Sequence, residues 1–187
     1  MTTPAYDLRE LSSPLASTKY AGAKKFLALA QTNPRSLYPH LDFFVGLMRS
    51  DNQMLKWSAI QIVGRLAAFD TEGRIEKVMP TLYKQLSGGS MVTANNTISA
   101  LSDIAISKPS LKKKITAELL KVENYTFDTP ECLNIVLGKV ILGLHSYIPD
   151  LNADADVAAF VTRQSGNTRP ATKNKADAYL KRASKAK

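Results

Sequence analysis

The sequence predicts an all-α protein built of stacked helix pairs, and three observations carry that prediction. An apolar pattern recurs at a nearly constant interval: Leu29, Leu66, Ile104 and Leu144 hold matching positions 37, 38 and 40 residues apart, the range in which self-similarity marks helix-pair repeats. Within each copy the apolar residues step by three and four, and no stretch sustains the alternation of a strand. Turn signals (Asn33-Pro34, Asp51-Asn52, Gly88-Gly89, Pro109 and Thr129-Pro130) fall between the periodic segments. The 187 residues suffice for one domain of about four units of roughly 40 residues. The expected architecture is a right-handed α-α superhelix of about four helix pairs over residues 15–166, between an extended leader (1–14) and a basic, disordered tail (167–187).

The elements follow in order. Residues 1–14 hold Pro4 and Pro14 and little periodicity, which suggests an extended or loosely docked leader. A helix should run from Leu15 to Thr32 and stop at Asn33-Pro34, because the residue before a proline is pushed out of the α region. Ser36 is the expected cap of a second helix through Leu37, Leu41, Phe44, Val45 and Met48 to Ser50. Asp51-Asn52 supplies the next cap, and Gln53 to Phe69 carries the strongest amphipathic stripe, with Leu55, Ala59, Ile62, Val63 and Leu66. Asp70-Thr71 should open a helix through Ile75, Val78, Met79, Leu82 and Leu86, stopped by Gly88-Gly89. Pro80 inside it requires a kink or a later start. Met91 to Ser107 is its partner, ended by Pro109, and Ser110 is the expected cap of a lysine-rich helix through Ile115, Leu119, Leu120 and Val122. Thr129-Pro130-Glu131 places a cap, a proline at the first helical position and an acid in the first turn of a helix reaching Tyr147. A short helix from Asp154 to Gln164 should cover the end of the stack. Ser165 to Lys175 has almost nothing to bury and is expected to be disordered. Ala176, Tyr179, Leu180 and Ala183 then form a weak helical face, suited to ordering on a surface.

Charge is unevenly spread. Of the net +9, the last 21 residues contribute +6, from Arg169, Lys173, Lys175, Lys181, Arg182, Lys185 and Lys187 against Asp177. A basic arm on a nearly neutral body argues against a dedicated nucleic-acid-binding fold. The single Cys132 excludes an intrachain disulfide and reads as a small buried hydrophobe in a reducing compartment. The most apolar run, Cys132 to Ile148, contains Asn134, Lys139 and His145 and falls short of the roughly 20 apolar residues of a membrane span. The N-terminus lacks the apolar core of a signal peptide, so a cytoplasmic protein without membrane contact is expected.

Asp51 to Ala67 resembles a HEAT repeat: an acid in the turn, Leu55-Lys56, a small residue at Ala59, then Val63 and Leu66 on the inner stripe. Leu37-Tyr38-Pro39-His40-Leu41 and Val78-Met79-Pro80-Thr81-Leu82 are similar to the proline-kinked first helix of such repeats. Ala94 to Ala105 resembles the related armadillo repeat, with Asp103 and Ser99 standing where that family has asparagine and tryptophan. The resemblance spans about Leu15 to Pro149 and implies a fold whose partners vary widely.

In paired-helix solenoids the second helices line the concave face. Positions nine, five and one before each anchor read Tyr20, Lys24, Ala28; Trp57, Gln61, Arg65; Asn95, Ser99, Asp103; Ile135, Lys139, Gly143. Tyr20, Lys24, Trp57, Gln61, Arg65, Asn95, Ser99, Asp103 and Lys139 are therefore the candidate partner-binding residues, an aromatic, amide and basic ladder suited to an acidic or hydrogen-bonding protein segment. An exposed Trp57 would anchor such a partner; the alternative is that it packs into the neighbouring unit. Lys112-Lys113-Lys114 reads as a solvated first turn, since three successive lysines point to different sides of a helix. The tail residues Lys173, Lys175, Tyr179, Lys181, Arg182, Lys185 and Lys187 form a second candidate surface, for nucleic acid, with Tyr179 free to stack on a base. His40 and His145 have no partners at metal-ligand spacing, and no phosphate loop or nucleophile elbow is present. The expected function is a non-catalytic scaffold or adaptor with no cofactor or metal. A nucleic-acid accessory protein is the alternative. A more remote one is a DNA glycosylase, because some enzymes similar to HEAT proteins use a concave tryptophan, aspartate and arginine, here Trp57, Asp103 and Arg65.

Overall fold

A computed structural model describes residues 6–185, which contain helices and no strand. In chain order these are α1 (Ala16–Thr32), α2 (Pro34–Leu37), α3 (Leu41–Leu47), α4 (Gln53–Leu66), α5 (Arg74–Leu86), α6 (Met91–Ser107), α7 (Lys112–Leu120), α8 (Pro130–Tyr147), α9 (Ala155–Gln164) and α10 (Pro170–Lys185), with single 3-10 turns between several of them. Four of these helices, α4, α6, α8 and α9, begin at N-cap side chains that satisfy their first free N–H groups, whereas α1 begins without one. Asn52 accepts from the Leu55 N–H at 3.2 Å, Ser90 from Thr93 at 3.3 Å, Thr129 from Cys132 at 3.1 Å and Asp154 from Val157 at 3.1 Å.

The helices α1, α4, α6, α8 and α10 form a row in which each packs on the next. A second layer covers one side of it: a 3-10 turn at Leu8–Ser12 packs on α1, α3 on α4, α5 on α6, α7 against α6 and α8, and α9 against α8 and α10. The core runs between the layers, through Phe26, Phe44, Leu66, Leu82, Ile98, Ile104, Ile115, Val140, Leu144 and Phe160, all fully buried. Leu66, Ile104 and Leu144 are completely enclosed, whereas Leu29 is only half-buried. Small residues set the spacing of the row. A Cβ on Gly64 would lie 2.5 Å from Ala100 Cα, one on Gly143 2.6 Å from Ser102 Oγ, and one on Gly138 2.7 Å from Thr172 Oγ1.

Several local expectations are corrected. Ser36 does not cap the second helix; it lies inside α2, which Pro34 starts at the first position, and the 3-10 turn Tyr38–His40 interrupts the stretch before α3. Ser110 likewise sits inside a 3-10 turn, and α7 begins without a side-chain cap. α5 starts later than Asp70-Thr71, behind Gly73 at φ 68°, and Pro80 remains within it. Asp70 still caps that start across a longer reach, accepting from the N–H groups of Arg74 at 2.9 Å and Ile75 at 3.1 Å. The leader is docked where it is described: Leu11 is buried, Tyr6 donates to the Ser36 carbonyl at 2.6 Å, and its ring meets Phe26 edge-on.

The largest correction concerns the C-terminal segment. Residues 170–185 form α10, and the weak apolar face of Ala176, Tyr179 and Ala183 is buried. Its surface is α8. Thr172 donates to the Asn134 carbonyl at 2.7 Å, and Tyr179 donates to the carbonyl of Ile148. The connection is also tied down: Asn167 donates to Asn134 at 3.0 Å and Arg169 pairs with Glu131 at 2.7 Å. A segment too polar to fold alone is ordered here because α8 offers the apolar strip it lacks.

Candidate binding face

The side of the row away from the second layer carries most of the nine ladder residues, and the structure divides them by what their side chains hold. Three stitch neighbouring helices together. Trp57 Nε1 donates to Thr93 Oγ1 at 3.0 Å, Gln61 Nε2 to Asn96 Oδ1 at 2.8 Å, and Arg65 Nη1 to the Leu27 carbonyl at 3.0 Å. Trp57 is thus half-buried and engaged with the next helix, the alternative to an exposed anchor. Tyr20 is exposed, with its hydroxyl accepting from Asn52 at 3.3 Å. Ser99 donates to the Asn95 carbonyl at 3.3 Å within α6. Asn95 Oδ1 is buried with no partner among the described residues. Lys24 is exposed and Lys139 half-buried.

Arg65 and Asp103 are brought together: both line an open pocket of about 390 Å³, with Ala30, Phe69 and Ile106. Burial pushes the Asp103 carboxyl above its ordinary value, against the opposing pull of Arg65 and Lys139. Along the row, Lys175 on α10 is lowered, first by burial and then by Arg169 and Lys139. Cations from α8 and α10 therefore lie close enough to repel one another.

The tail candidates are redistributed by α10. Tyr179 cannot stack on a base: only 2% of it is exposed, and its ring meets His145 edge-on at 4.7 Å. Lys173 and Arg182 are exposed and Lys175 is half-buried. Lys181 also belongs to α10, which ends at Lys185; Lys187 lies outside the described residues. Arg182 Nη1 donates to His145 Nε2 at 3.0 Å, since a guanidinium can only donate. Lys112, from the lysine run, donates to the Tyr147 carbonyl at 3.0 Å, and Lys113 and Lys114 are exposed.

Residues outside the ladder complete the face. Ile106 (55% exposed) lines the Arg65–Asp103 pocket, and Leu142 (47%) lines a smaller one of about 230 Å³ with His145, Lys175 and Arg182. Periodicity hid both. Ile106 lies two residues past its anchor and Leu142 two before, off the positions sampled for the ladder, and only the contact with α10 makes Leu142 part of a cleft.

The fold and this face define an all-helical protein with a row of packed helices whose exposed side mixes cations with isolated apolar side chains. Searches against protein-family models, curated proteins and solved structures find no match. Among the described residues no helix is long and apolar enough to cross a membrane, and no group of three or more His, Cys, Asp or Glu could hold a metal ion.

Proposed function

We propose that the chain is a non-catalytic, HEAT-like helical scaffold that holds an acidic protein segment along the exposed side of its helix row. One observation carries this reading: Lys24, Arg65, Lys139, Lys175 and Arg182 stand along that side, with Asp103 the acid beside Arg65. They belong to a basic row whose five helices carry +8 of the chain's +9; of its other cations, Lys25 pairs with Glu10 of the second layer and Lys56 lies off the face. Such a field draws in acidic partners and speeds their encounter. Ile106 and Leu142 among those cations favour a protein segment, which brings apolar side chains with its carboxylates. A bare phosphate backbone would leave them uncovered.

Trp57 and Arg65 hold the row together, so the informative substitutions are at Lys24, Lys139 and Ile106. A partner recovered by pull-down after nuclease treatment should bind Lys24→Glu/Lys139→Glu at least about tenfold more weakly than wild type, the equivalent of about 1.4 kcal/mol. Ile106→Asp should add to that loss, and circular dichroism should stay unchanged. The second reading, a nucleic-acid accessory protein, rests on the same cations. It predicts capture that nuclease abolishes, affinity falling steeply with salt, and indifference to Ile106→Asp.

A further inference from the structure

A second cluster of cations lies away from that face. Arg49, in the turn after α3, Lys56 on α4 and Lys84 on α5 line one depression of about 490 Å³, together with Pro80, Thr81 and Gln85. No acid lines it. The ion pairs of the described residues engage Arg9, Lys25, Arg74, Lys108, Lys121, Arg163 and Arg169, and none of these three. The Arg49, Lys56 and Lys84 side chains make no hydrogen bond within the described residues, and neither does the Thr81 hydroxyl. The contrast is informative, because Thr32, Thr97, Thr116 and Thr162 all fold their hydroxyls onto the carbonyl four residues back. The wall behind the cluster is braced: Gln85 Nε2 donates to the Met48 carbonyl at 3.1 Å, tying α5 to the end of α3.

We propose that this depression is a binding site for a phosphate-monoester dianion, held by Arg49, Lys56, Lys84 and the Thr81 hydroxyl. Three like charges in one concavity repel unless a counterion joins them, and three cations plus a hydroxyl outnumber what one carboxylate can satisfy. A tetrahedral dianion has the charge and the acceptor oxygens to meet them, and arginine and lysine are its usual partners. None of these residues lines the pockets of the helix-row face, so the site stands or falls independently of the function proposed above.

The test is a titration of the full chain followed by amide chemical shifts. Phosphoserine and inorganic phosphate are the two probes, with sodium chloride at matched ionic strength as control. Saturable shifts confined to about residues 48–57 and 79–86, absent with chloride, are expected. Arg49→Gln/Lys84→Gln should weaken them at least tenfold; both side chains are exposed, so the fold should survive, and a melting curve checks it. Tighter binding of phosphoserine than of inorganic phosphate would place the monoester on an amino-acid side chain, and the reverse would mark a free phosphate site. Shifts spread over α1 and α10, or reproduced by chloride, would overturn the proposal by showing general screening of a basic protein. Should the double variant misfold, the wild-type shift map still decides.

Discussion

Asp70 shows how much one side chain carries. Its carboxylate has no exposed surface and accepts from Tyr38 at 2.7 Å and from two α5 N–H groups, while Lys108, from beyond α6, pairs with it at 3.1 Å. Burial would raise its pKa, but the hydrogen bonds from Tyr38, Ile75, Arg74 and Lys108 outweigh burial and hold it at about 2, below the usual 3.8. A lowered folded-state value means the unfolded chain binds the proton more readily. The contribution, about 2 kcal/mol, is therefore full above pH 3.8 and is lost as pH falls through 2. Asp70→Asn should flatten the stability profile in that window, and at neutral pH it should cost roughly 3–5 kcal/mol because it removes the carboxylate that neutralises Lys108; urea unfolding at a series of pH values measures both. His145 acts in a different range. Burial first, and then Arg182, lowers its pKa from 6.5. Above 6.5 neither state is protonated; below it the unfolded chain protonates first, so stability falls with pH and Nε2 can no longer accept from Arg182. His145→Gln should remove that part of the acid sensitivity in thermal melts between about pH 5 and 6.5.

At the scale of elements, small residues decide how closely the helices of the row approach. Replacing glycine by alanine inside a helix ordinarily stabilises it by up to about 1 kcal/mol. Gly46 in α3 has open space around its missing Cβ, so Gly46→Ala should raise the melting temperature. A Cβ on Gly64 in α4 would lie only 2.5 Å from the Ala100 backbone. Gly64→Ala should destabilise by roughly 1–3 kcal/mol as an overpacked contact that neither helix can relieve. Opposite signs from the two variants in denaturant unfolding are the expected outcome, and stabilisation by both would show that α4 and α6 are not in close contact. The helix boundaries depended on chemistry of uneven legibility. Thr129-Pro130-Glu131 and Asn52 were readable because a capping residue stands directly before a periodic run, and the Met91–Ser107 helix because its period ends at a proline. Ser36 and Ser110 misled because a serine near an apolar run looks the same whether it caps the helix or sits inside the turn before it. Asp70 caps α5, but from four residues before a helix that starts at Arg74, across Gly73 in a left-handed conformation that no local pattern announces.

For the whole molecule, the decisive contact joins α10 to α8. Removing residues 167–187 should uncover Gly138, Ile141 and His145. It should cost at least the roughly 3 kcal/mol expected for losing one buried aromatic, Tyr179, and raise binding of a hydrophobic dye. A truncated chain that melts like wild type would show that α10 does not dock in solution. The sequence by itself determined that this chain is helical, that its helices recur at about 40 residues, and that Leu66, Ile104 and Leu144 anchor three of them, while Leu29 is only half-buried, because period and capping are local properties written in neighbouring residues. It also located most of the basic charge. Only the tertiary structure decided that the C-terminal segment folds, that Tyr179 and Trp57 serve the packing of the row, that Ile106 and Leu142 stand exposed beside cations, and that Arg49, Lys56 and Lys84 share a depression. Each of these depends on residues from different helices, and the physical reason is the same throughout: burial and charge convergence are set by what packs opposite a residue, which its own neighbours in sequence do not specify.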